Sequence, residues 1–121
     1  ADTDALRHIN NTVLPCWFEE ARTPLFKIFN PTMDFDNWNL IMARMEIDYI
    51  KQIFFHSNVE IQTWISRIGN SSLDIMQELY QNGELCARSK AICVHFDFKI
   101  QKSIPIVGDL RKELEVHLKE N

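Results

Sequence analysis

"VEIQTWISRIGNSSLDIMQELYQNGE", Val59 to Glu84, holds two runs of alternating polarity, each followed by turn-forming residues. In the first run Val59, Ile61, Thr63 and Ile65 alternate with Asn58, Glu60, Gln62 and Trp64. In the second, Leu73, Ile75 and Leu79 alternate with Asp74, Met76, Glu78 and Tyr80. Successive side chains on a strand point to opposite faces, so this period of two predicts half-buried antiparallel strands. Arg67 to Ser72, "RIGNSS", supplies hairpin-turn chemistry between them, and the Asn-Gly pair of "QNGE", Gln81 to Glu84, suits a type I′ turn.

Working outward, Leu40 to Tyr49 reads as an earlier strand and Leu85 to Phe98 as a long last one. On that last strand Ala87, Ser89, Ala91 and Cys93 make one face small, while Ile92, Val94, Phe96 and Phe98 make the other bulky. A small face lets a helix approach a sheet closely. The helix is at hand: from Asn11 to Phe29, Val13, Leu14, Trp17, Phe18, Ala21, Leu25, Phe26 and Phe29 recur at three- and four-residue steps. Asn10 or Asn11 is expected to cap it, and Pro15 falls in the tolerant first turn. Pro24 predicts a kink or a break. Asn30 to Asn37 reads as a loop, and Asp109 as the cap of a short helix to about Leu118, with Leu110, Leu114 and Val116 or His117 inward. The sum is an α+β domain: one antiparallel sheet, its four strands forming two hairpin-joined pairs or a meander, with a long helix across it.

The 121 residues, 45% hydrophobic and 25% charged, fit one globular domain spanning 1–121. A net charge of −4 argues against a surface that tracks nucleic-acid phosphates. No apolar run approaches the roughly 20 residues of a membrane span, so no membrane partner and a cytoplasmic location are expected. Cys16, Cys86 and Cys93 are odd in number and form no C-x-x-C pair, which fits reduced core thiols, Cys16 among them. His8, His56, His95 and His117 lack metal-ligand spacing, so no metal is expected. The chain opens on Ala1 and reaches "DTDALRHINN" at once, so the expectation is that either a short leader or first strand is short or missing or the domain begins abruptly.

"DTDALRHINN", Asp2 to Asn11, followed by "WFEEAR", Trp17 to Arg22, resembles the D-x-D-x-x-G-H-x-N-N … E-x-x-R signature of hot-dog-fold acyl-CoA thioesterases of the 4-hydroxybenzoyl-CoA thioesterase type. "MEIDYIKQIFFHSNVEIQTWISRIGNSSLDIMQELYQNGELCARSKAICVHFD" resembles the strands of the same family in order, spacing and turn positions. The resemblance covers nearly the whole chain and implies a hot-dog fold, an antiparallel sheet wrapped around a central helix.

For chemistry, the resemblance implies that Asp4 is the catalytic carboxylate, a general base on water or a nucleophile giving a transient anhydride. Asn11 matches the first turn of the central helix, whose backbone N–H polarises the thioester carbonyl. His8 and Asn10 match positions that shape the loop and hold water or the thioester group, and Glu19 matches a helix acid facing the acyl pocket. Glu19 equally suits an i+3 pairing with Arg22. Arg7 departs from the family's Gly, and the turn where some members carry paired basic residues reads "GNSS", with Ser71 and Ser72. Arg67, with Arg88 or Lys90, is the chemical substitute for gripping a CoA phosphate. No cofactor is implied, coenzyme A being part of the substrate. A homodimer, or a tetramer of two such dimers, is the implied unit, with the site at the seam.

Two rivals stand beside hydrolysis. One is a binding module that holds an acyl chain or acyl carrier protein without turnover. The other is a dehydratase, which would pair the loop Asp with a helix His; here the His near Asp4 is His8, in the loop. Of the aromatic set, Trp17, Phe18, Phe26 and Phe29 read mainly as core.

Overall fold

A computed structural model describes residues 13–54 and 57–119. In chain order they form α1 (Leu14–Phe29), a short 3-10 turn (Phe35–Asn37), β1 (Leu40–Tyr49), β2 (Val59–Ile68), β3 (Ser72–Gln81), β4 (Glu84–Asp97), β5 (Lys102–Ser103) and α2 (Gly108–Glu115). The sheet runs β1-β4-β3-β2, with β5 added to β4.

The two turns read from the sequence close two hairpins, so β2, β3 and β4 are a meander. Asn82 and Gly83 both have positive φ, 53° and 77°, as a type I′ turn requires. The first strand departs from the hairpin-pair alternative. β1 pairs antiparallel with the far side of β4, from Leu40 opposite His95 to Tyr49 opposite Ala87. The chain therefore crosses from one sheet edge to the other between Tyr49 and Val59. Gln81 anchors that crossing: its amide accepts the Phe54 N–H at 2.9 Å and donates to the carbonyls of Phe54 and Ser57 at 2.8 and 2.9 Å.

Register shifts decide which side chains face inward. A shift between Ile65 and Arg67 reverses the phase of β2, so Arg67 lies opposite Asp74. A shift between Met42 and Arg44 does the same in β1. Across from β3, Leu79 pairs with Ala87 and Tyr80 with Leu85, which makes Cys86 the extra residue. Cys86 and Ala87 are consequently both buried. Strict alternation cannot anticipate such insertions.

The buried stripe of α1 is Leu14, Phe18, Arg22, Leu25 and Phe29. It lies on the small face of β4 in two clusters. Leu14 and Phe18 pack with Ile53, Leu79, Cys86 and Ala87, and Leu25 and Phe29 with Leu40, Ile65, Leu73, Ile75, Ala91 and Cys93. Trp17 and Phe26 only flank these clusters. Cys16 is exposed, not a core thiol, because two helical residues from Phe18 is about 200° around the axis.

Several local expectations change at the helix ends and at Pro24. The helix N-cap is Val13, with no side-chain cap, rather than Asn10 or Asn11. Of the kink or break expected at Pro24, the break does not occur: α1 runs through it to Phe29. At the other end, Val107 precedes α2 and Asp109 sits inside its first turn without capping it. Leu114 is buried, but Val116 is 81% exposed and His117 is exposed too. There the chain leaves the helix to bridge β2: the Ile65 N–H donates to His117 O at 2.9 Å, and the Lys119 N–H to Ile65 O at 2.8 Å. Among the described residues no strand precedes α1.

Candidate active site

Asp4, Arg7, His8, Asn10 and Asn11 lie outside the described residues. What is described is the helix end to which that run leads. Its first turn contains no acid, and Pro15 has no N–H to contribute. The Val13 carbonyl accepts the N–H groups of Cys16 and Trp17 at 3.0 and 3.2 Å. The positive helix terminus is thus uncompensated by any acid of its own first turn, an arrangement that favours an anion or a polarised carbonyl.

Beneath this end the floor is apolar: Leu14, Phe18, Ile53, Leu79 and Ala87 are buried, with Met45, Ile47, Val59 and Ile61 half-buried around them. A cleft of about 420 Å³ opens between α1 and β2, lined by Trp17, Glu20, Ala21, Val59 and Ile61. The acid on this cleft is Glu20. Glu19 is exposed, and the described residues hold no Glu19–Arg22 ion pair. Its charge reaches Arg22 only through space, as a minor influence on a guanidinium whose pKa is lowered by burial.

Arg22, read from the sequence as a partner of Glu19, turns inward to Gln77 instead. It is 2% exposed, in the middle of the helix's apolar stripe. Its Nη1 donates to Gln77 Oε1 at 3.1 Å, and both terminal nitrogens approach Met45 Sδ at 4.0 Å. Gln77, fully buried in β3, donates from Nε2 to Phe18 O at 2.9 Å and Thr63 Oγ1 at 3.2 Å. A signal was present: an amide stands in the apolar phase of β3 between Ile75 and Leu79, and an arginine stands four residues after Phe18. Nearby, burial pushes the Cys93 thiol up to about 11, against the pull of Arg22, which keeps it protonated.

At the β2–β3 turn the structure brings Arg67 and Ser72 together, but on a carboxylate. Arg67 Nε and Nη2 reach Asp74 Oδ2 and Oδ1 at 3.3 and 3.1 Å, and Nη2 also donates to Ser72 Oγ at 3.2 Å. Lys90 Nζ lies 3.7 Å from the same carboxylate, leaving one surplus positive charge in the group. Arg88 is paired with Glu78. The half-buried Ser71 serves through its backbone, whose carbonyl accepts the His95 N–H at 2.8 Å. Leu14 packs on Leu79, seven residues along β3 from Ser72, or about 23 Å at 3.3 Å per residue. One chain therefore keeps the helix end over Leu79 about 23 Å along β3 from the turn that carries Ser72.

Among the described residues, no group of three His, Cys, Asp or Glu side chains could hold a metal ion. Among the described residues no helix is long and apolar enough to cross a membrane.

Known proteins share this outline. Residues 1–114 match the model of the thioesterase-like superfamily. The structure superposes on that of a predicted thioesterase from Bacillus stearothermophilus with a TM-score of 0.93 and 41% identity, over 99% of this chain and 90% of that one. It is also similar to a thioesterase from Thermus thermophilus complexed with coenzyme A and zinc: TM-score 0.80 and 27% identity, over 93% of this chain and 88% of that one. In sequence it is 28% identical to the uncharacterized protein YsmA of Bacillus subtilis strain 168, over 97% of this chain and 80% of that protein.

Proposed function

The chain belongs to the thioesterase-like superfamily, and from that premise we propose that it hydrolyses an acyl-CoA thioester to a free acid and coenzyme A. The observation that carries this reading is the extent of the family match, residues 1–114, which takes in the whole of "DTDALRHINN" as well as the helix and sheet. The complex of the Thermus thermophilus relative supports coenzyme A as the carrier.

In this reading Asp4 takes a proton from water, or attacks the carbonyl carbon itself. As the C–O bond forms, charge moves to the carbonyl oxygen, where the Asn11 amide and the helix terminus receive it. Collapse breaks the C–S bond and releases coenzyme A thiolate, which needs little help from an acid; on the nucleophilic route water then cleaves the Asp4 anhydride, freeing the acid and restoring the carboxylate. His8 and Asn10 hold the loop, Glu20 on the cleft beside α1 takes the place at the acyl chain expected of Glu19, and Arg67 with Ser71 and Ser72 meets the nucleotide end. The surplus charge at Asp74 suits that last role.

Two copies make the working unit. β1 has a β4 partner on one side and, among the described residues, none on the other, and it exposes Met42 and the neighbouring Ile50. A long edge without proline invites a second strand. It also answers the 23 Å gap, since a second copy can bring its own turn residues to a site that one chain leaves divided.

The test is release of free thiol from short-, medium- and long-chain acyl-CoAs by the native protein and by Asp4→Ala. Native turnover that falls by roughly 10²- to 10⁴-fold in the variant supports hydrolysis. Binding by both without turnover by either replaces it with the acyl-binding module.

A further inference from the structure

We propose that Arg22 and Gln77 are positioning residues: their buried tie holds the first turns of α1 at one height and one rotation over β3. The effect expected on rate rests on the hydrolysis reading above; the effect on the helix does not.

Arg22 is buried yet forms no ion pair among the described residues. Its Nε, and the Oγ of Ser89 opposite Gln77, find no hydrogen-bond partner there either. A buried charge in such surroundings is poor at stabilising a fold, and apolar residues of similar volume are often as stable or more so. What apolar packing lacks is direction. Leu14, Phe18, Leu25 and Phe29 would tolerate small slides and rotations of the helix, whereas hydrogen bonds would not.

The directional contacts converge on a single turn. Arg22 donates to Gln77, Gln77 donates back to Phe18 O, and Thr63 Oγ1 donates to Ala21 O at 3.5 Å. Gln77 sits mid-strand, flanked by Thr63 on β2 and Ser89 on β4, where the sheet is braced on both sides. Phe18 is four residues from Leu14, about 6 Å along the axis. The tie therefore acts one turn from the helix end that the carbonyl must meet, and a misplacement of 1 Å there can cost on the order of 100-fold in rate.

The decisive variant is Arg22→Met with Gln77→Leu, since either change alone would strand a buried polar group. Thermal midpoint, kcat and KM with an acyl-CoA, and amide hydrogen exchange are measured on the full chain. The expected result is a midpoint at or above that of the wild type, KM within about threefold, and kcat lowered on the order of 30- to 100-fold. Exchange of α1 amides should quicken by about tenfold or more while β3 and β4 keep their protection. A folded double variant with wild-type kcat and wild-type α1 exchange overturns the proposal. Should the wild type release no thiol from any acyl-CoA, the hydrolysis reading alone falls, and α1 exchange decides this one. Should the double variant not fold, Thr63→Val removes the hydroxyl that accepts from Gln77 Nε2 and donates to Ala21 O, loosening the tie at Gln77 and at α1 while Arg22 and Phe18 keep their bonds to Gln77; wild-type kcat and exchange in that variant overturn the proposal, and a severalfold loss with faster α1 exchange supports it.

Discussion

His95 shows what one buried titratable group does to a molecule. It lies in β4 with its ring 5.4 Å from that of Phe29, and its Nδ1 has no partner among the described residues. Burial lowers its pKa below the ordinary 6.5, opposed by backbone bonds involving Pro105 and Ile104. The unfolded chain therefore binds the proton more readily, and stability rises with pH in that range. The contribution is complete above about 6.5 and is lost as pH falls through that value toward the folded pKa. Thermal midpoints between pH 7.5 and 5 should decline, and His95→Asn should flatten the slope; an unchanged slope removes His95 as its source. At Gly69 the constraint is space. A Cβ there would stand 2.6 Å from Arg67 Nη1, so Gly69→Ala should push the guanidinium off Asp74 and lower acyl-CoA affinity if Arg67 meets the nucleotide.

At the scale of elements, α1 and the β3–β4 turn carry opposite kinds of backbone fit. Pro24 sits inside α1, where it removes one helical hydrogen bond and crowds the preceding turn. Pro24→Ala should stabilise the protein by about 1 to 3 kcal/mol in urea unfolding, and a loss of stability would show that the proline sets a needed bend. Gly83 has φ of 77° with nothing within 4 Å of an added Cβ, so its cost on substitution is purely conformational. Gly83→Ala should lose about 1 kcal/mol by the same measurement. Arg111 performs a third task, joining α2 to the β2–β3 turn through the carbonyls of Gly69 at 3.0 Å and Ile68 at 3.3 Å, while also donating to the Ile106 carbonyl just ahead of α2 at 3.0 Å.

For the whole molecule, the question is what covers the outer edge of β1. If two copies pair there, sedimentation should give a dimer or larger species at micromolar concentration, and Met42→Asp should shift it toward monomer with loss of turnover. A monomeric wild type with full activity would sink the dimer.

The sequence by itself determined the helix, the four main strands, both hairpin turns and the burial of the small face of β4. Each depends on a local period or on turn chemistry, which neighbouring residues specify without help from afar. Its likeness to a thioesterase family was legible for the same reason, in a contiguous run from Asp2 to Asn11 and a spaced meander. Only the tertiary structure decided that β1 crosses to the far edge of β4, that register shifts turn Arg67 toward Asp74, and that Glu20 rather than Glu19 borders the cleft. It alone brought Arg22 to Gln77, 55 residues away. Such pairings depend on which distant strand lies opposite, and no periodicity along the chain encodes that.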